Sequence, residues 1–76
     1  MGQASAALKQ VLDTHGISQN KLAVTMGISR ASVGRWYHGL DPSAENIVLT
    51  TEALKTVHVE AFRQFARLYL GTIVED

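Results

Sequence analysis

Apolar residues recur along this chain at intervals of three and four, and nowhere do they alternate one by one. That period belongs to helices that bury one stripe rather than to strands. Ala4, Ala7, Leu8, Val11 and Leu12 share a stripe and predict a helix over about 4–14, with Gly16 placed for a left-handed C-terminal cap. Ser18, a favoured N-cap residue, opens a second segment that turns Leu22 and Ala23 inward and stops near Met26-Gly27. Ser29 opens a third, running to about His38, with Val33 and Trp36 inward and Gly39 at its end. Asp41-Pro42-Ser43 opens a fourth: either Asp41 caps with Pro42 at the first helical position, or Ser43 is the cap. Ile47, Val48 and Leu54 supply its buried side, and the β-branched cluster near 56–58 predicts a break. A fifth segment, about 59–70, carries Phe62, Phe65, Ala66 and Tyr69 at helical spacing. The expected fold is all-α, a compact bundle of five helices forming one domain over residues 1–76.

Residues 19–36 read as one mechanical unit. Leu22, Met26, Ile28, Val33 and Trp36 are apolar, Ala23 is small, and Gly27 lies four residues beyond it. Two helices that cross through a three- or four-residue turn approach closely, and a small residue at Ala23 gives the third helix room. The sharp turn needs a positive φ, which Gly27 adopts without steric cost. Leu22, Ile28, Val33 and Trp36 then wedge the two helices together, so residues 18–38 make a helix-turn-helix.

The stretch from Ile17 to Gly39, ISQNKLAVTMGISRASVGRWYHG, resembles the Cro/C1-type (XRE-like) helix-turn-helix domains of phage and bacterial repressors. Pro42 to Val48 is similar to the opening of that family's fourth helix, and the likeness covers about Leu8 to Leu54. It implies a lambda-repressor-like five-helix bundle that binds double-stranded DNA, usually as a two-fold dimer. The third helix would then enter the major groove amino end first. Ser29, Arg30, Ala31, Ser32, Gly34 and Arg35 are the outward residues near that end. Arg30 and Arg35 suit bidentate bonding to guanine O6 and N7, and Ala31 suits a thymine methyl. Ser32 fits a base or a phosphate, and Gly34 permits close backbone approach. The resemblance assigns Gln19 a phosphate. Asn20, Lys21, Ser18 and Tyr37 are expected to add backbone contacts that set register without reading sequence.

Charge sharpens this picture. The formal net charge is zero, yet residues 1–40 hold four cations against Asp13 alone, and residues 41–76 hold three cations against six carboxylates. The amino half is basic and the carboxyl half acidic, which suits a duplex on one side only. Two features depart from the family pattern: Leu49 stands where a polar, exposed residue is usual, and Thr50 where a buried aliphatic one is usual. The fifth segment is also apolar on more than one face. Leu49, Val59, Leu68, Leu70, Ile73 and Val74 are therefore expected in a homodimer interface built from residues 43–70 and the segment beyond.

Other chemistry finds little support. Cysteine is absent, and His15, His38 and His58 match no metal-ligand spacing. No nucleophile–base–orienter set, phosphate loop or metal cluster is evident, so no catalysis, cofactor or small-molecule ligand is expected. No apolar run reaches the roughly 20 residues that span a bilayer, and residues 1–10 do not read as a secretory signal, so a cytoplasmic setting is expected. The leading reading is a sequence-specific transcriptional regulator, a repressor acting by occlusion. The competing one is a protein–protein or antitoxin-like adapter that keeps the same fold.

Overall fold

The computed structural model describes the backbone of residues 2–74 and the side chains of residues 2–71. Five helices follow in order: α1 Gln3–His15, α2 Gln19–Met26, α3 Arg30–Tyr37, α4 Ala44–Val57 and α5 Val59–Val74. Among the described residues there is no strand. The ends are set locally, as the pattern of caps requires. Ser18, Ser29 and Ser43 each accept a hydrogen bond from a backbone N–H three residues on, those of Lys21, Ser32 and Asn46. Ser43, not Asp41, therefore caps α4. Gly27 ends α2 at φ 73°, and the following Ile28 N–H reaches back to the Ala23 carbonyl at 3.0 Å. A single extended residue, His58, separates α4 from α5, and its Nδ1 accepts the Ala61 N–H at 3.3 Å.

Side chains from all five helices meet in one core. Leu8, Val11, Leu12, Leu22, Val33, Leu54 and Ala61 are fully or almost fully shielded, with Trp36 and Phe65 beside them. A buried leucine contributes about 1.5–3 kcal/mol, against about 1 kcal/mol for a cap. Burial thus decides that the helices form, and the caps decide where they stop. α5 lies against α1 and α4, α2 lies against α3 and α4, and α3 touches α1.

Two apolar assignments are corrected. Val48 is 57 % exposed, and the buried stripe of α4 runs instead through Thr50, Ala53 and Leu54, with Ile47 half-buried. Thr50 can lie inside because its hydroxyl contacts the Met26 sulfur at 3.6 Å. The stripe follows helical geometry through a polar residue, so Val48 and Leu49 turn outward. On α5 the most deeply buried positions are Ala61 and Phe65, one turn apart, while Phe62, Ala66 and Tyr69 are half-buried.

The first turn of α1 is held from a distance. Gly2, at its N-cap, has no side chain to offer, and Asp41 fills the role: its Oδ1 accepts the Ser5 N–H at 2.9 Å. A carboxylate there also meets the positive end of the helix. A Cβ on Gly2 would overlap the Asp41 carboxylate. Ser5 in turn donates its hydroxyl to the Trp36 carbonyl at 2.5 Å, in the last turn of α3. The start of α1, the end of α3 and the loop beyond it are thereby tied together. Asp41→Ala is expected to lower the unfolding free energy by about 1 kcal/mol. The thermal midpoint should then fall by roughly 4–8 °C, and Asp41→Asn, which keeps an oxygen acceptor, should cost less. An unchanged midpoint for Asp41→Ala would show that α1 does not depend on this cap.

Candidate nucleic-acid interface

Three residues, Gly27, Ile28 and Ser29, connect α2 to α3. Leu22 and Ala23 of α2 and Val33 and Trp36 of α3 are buried, and Ile28 packs partly against them. Val33 and Trp36 fix which side of α3 faces in. At about 100° per residue, the outer arc of α3 then runs in the order Arg30, Gly34, Ala31, Arg35. Arg30, Ala31 and Arg35 are exposed, and Gly34 is half-buried. Two guanidinium-bearing positions thus bound a strip of very small side chains.

The flanks of this arc are polar. Arg35 Nη2 donates to Ser32 Oγ at 3.3 Å, and Ser32 Oγ lies 3.3 Å from Ser29 Oγ. On the α2 side, a Cβ on Gly34 would stand 3.4 Å from Gln19 Oε1, so the Gln19 amide lies against this part of α3. Gln19 is half-buried, and Asn20 and Lys21 are exposed at the start of α2. Of the four cations in the amino half, only Lys9 forms an ion pair among the described residues, with Asp13 at 3.1 Å. Lys21, Arg30 and Arg35 keep their charge unpaired.

Tyr37 is engaged differently from the other expected contacts. Its hydroxyl donates to Asp13 Oδ1 at 2.7 Å, and Lys9 Nζ lies 5.0 Å from the centre of its ring. The hydrogen bond from Tyr37, and then that from Lys9, hold the Asp13 carboxyl below the usual carboxylate range. The same bond to Asp13 raises the Tyr37 hydroxyl above its ordinary value, because an ionised oxygen could not donate it. No local period relates positions 9, 13 and 37. Only the four-residue spacing of opposite charges on α1 hinted at the Lys9–Asp13 half.

A second unforeseen grouping joins α1 to the α4–α5 junction. The His15 and His58 rings lie 4.7 Å apart, and His15 Nε2 meets Gln64 Oε1 at 2.8 Å. Among the described residues no three His, Cys, Asp or Glu side chains gather as a metal site would need. No described helix is long and apolar enough to cross a membrane.

The apolar residues assigned to a dimer interface are spread along the carboxyl half. Leu49, Val59 and Leu70 are exposed, whereas Leu68 is half-buried and packs on the core. The side chains of Ile73 and Val74 lie outside the described residues. Between α4 and α5 runs an open groove of about 310 Å³, lined by Ile47, Val48, Phe65, Ala66, Tyr69 and Leu70 together with Thr51 and Glu52.

A short helix with guanidinium groups on its outer arc, set across a second short helix by a glycine-hinged turn, defines a helix-turn-helix DNA-binding protein. The chain belongs to the Cro/C1-type helix-turn-helix family, whose model matches residues 8–62. The match reaches into α5, beyond the Leu54 limit of the resemblance read from sequence, and the family is one of DNA binders rather than enzymes. Neither a curated protein nor a solved structure matches the chain.

Gly34 offers a direct check on this geometry. An added methyl meets Gln19 at ordinary contact distance, and Gly in a helix interior costs about 1 kcal/mol relative to Ala. Gly34→Ala is therefore expected to raise stability to urea by up to about 1 kcal/mol. A loss of stability would mean that α2 and α3 approach more closely than described.

Proposed function

We propose that this protein is a sequence-specific regulator of transcription, a cytoplasmic repressor that occludes its site by laying α3 in the major groove. The observation that carries this reading is the outer arc of α3, where Arg30 and Arg35 stand free of carboxylates on either side of Gly34 and Ala31. Arginine there reads guanine through O6 and N7, worth roughly 1–3 kcal/mol of discrimination per contact. Ala31 sits against a thymine methyl. Gly34 lets the backbone approach base edges. Ser29 and Ser32 bond bases or phosphates at the helix start. Gln19, Asn20 and Lys21 hold the phosphate backbone from the start of α2.

Three unpaired cations neutralise few phosphates, so one subunit binds weakly and loses affinity with salt. Useful specificity follows from two copies on half-sites about one helical turn apart. The α4–α5 groove and the exposed Leu49, Val59 and Leu70 supply apolar surface for that pairing. The same groove favours a second reading, an adapter whose main partner is another protein.

A selection from random duplexes separates the two. A regulator enriches one motif. Arg30→Ala and Arg35→Ala each weaken binding roughly tenfold or more and relax preference at one base pair per half-site. Unchanged affinity and preference in both variants, or no enriched motif for the parent chain, would overturn the assignment. Sedimentation tests the pairing: the chain should be dimeric at high micromolar concentration, and Leu70→Glu should give a folded monomer. A parent chain that sediments only as monomer would remove the dimer from the account.

A further inference from the structure

We propose that Asp13, on α1, is a positioning residue for DNA recognition: by holding the Tyr37 hydroxyl it fixes the carboxyl end of α3, and Tyr37 acts through this bond rather than by touching DNA. The proposal rests on the DNA-binding reading of α3.

α3 is short. Eight residues make little more than two turns, too few to hold a direction in water unaided. Its inner face is fixed by Val33 and Trp36, but two buried residues on one stripe still allow the helix to roll. Roll is what decides where Arg30 and Arg35 point. Two hydrogen bonds to α1 oppose it: Ser5 donates to the Trp36 carbonyl, and Tyr37, half-buried next to Trp36, reaches Asp13 at 2.7 Å.

The Tyr37 contact is shared by three residues at the surface. Asp13 uses one oxygen for Tyr37 and the other for Lys9 at 3.1 Å, and the Lys9 ammonium lies 5.0 Å from the Tyr37 ring centre. Three residues therefore restrain one another, as in hydrogen-bonded chains that polarise along their length. The tyrosine has one hydroxyl proton, and Asp13 holds it, so none is left for a phosphate. Lys9 also balances the carboxylate, which would otherwise repel the duplex beside α3.

The test uses the full chain and the duplex found by selection, well below the melting temperature. Tyr37→Phe and Asp13→Ala each remove the bond, and Asp13→Asn keeps an oxygen that can accept it. Specific affinity should fall about five- to tenfold in Tyr37→Phe, with affinity for an unrelated duplex unchanged; Asp13→Ala also frees the Lys9 charge, which strengthens all duplex binding, so there the ratio of specific to unrelated affinity should fall by the same factor. The double variant should be no worse than either single one, and Asp13→Asn should restore most of the loss. In the free protein, exchange of the His38 and Gly39 amides, which bond to the Gly34 and Trp36 carbonyls, should quicken in the same two variants. This second measurement reads the positioning even if the chain selects no duplex, which would instead sink the DNA reading. Equal losses on both duplexes for Tyr37→Phe would make the hydroxyl a phosphate contact and overturn the proposal. Unchanged exchange together with an unchanged specific affinity would overturn it as well.

Discussion

An eight-residue helix must be aimed by its surroundings, and the structure is organised around aiming α3. Its amino end is set by the Ser29 cap directly after the Gly27 hinge. Its inner stripe is set by Val33 and Trp36 in the shared core. Its far end is held by two bonds to α1, from Ser5 to the Trp36 carbonyl and from Tyr37 to Asp13, while Asp41 from the loop after α3 caps the helix that carries Ser5. The two termini thus satisfy each other's backbone, so the orphan groups that a helix end leaves are used to fix relative orientation.

Aim matters here because charge is scarce. Lys21, Arg30 and Arg35 are the unpaired cations of the amino half, and Lys9 is spent on Asp13. A protein with many basic residues can bind a duplex in several poses. One with three unpaired cations on its basic half must place each, since phosphate attraction alone is small. The apolar groove belongs wholly to α4 and α5, so it and the arginine-bearing arc of α3 draw on different helices. That division matches the basic amino half and the acidic carboxyl half.

Features governed by neighbours in sequence were legible. The α1 stripe, the Ser18 and Ser29 caps, the positive φ at Gly27 and the burial of Trp36 all follow from periods of three and four or from single-residue backbone preferences. The outward arc of α3 followed from the same period. Features that join distant segments were not legible. Asp41 was one of two candidate caps for the helix that follows it, and it serves α1 instead, 36 positions back. Tyr37 was expected to contact the DNA backbone, and its hydroxyl has a partner on another helix. Thr50 and Val48 exchanged roles because packing on Met26 and the neighbouring helices, not side-chain polarity, set the rotation of α4. Ala61 was overlooked because a small residue gives a weak hydrophobic signal, although close approach of α5 requires it.

The most direct measurement is the map of backbone amide shifts as a selected duplex is titrated into the isotope-labelled protein. The account predicts the largest changes at residues 19–21 and 29–35, with α4 and α5 nearly unmoved except where two subunits meet. Shifts concentrated on the α4–α5 groove, with the outer arc of α3 undisturbed, would contradict it.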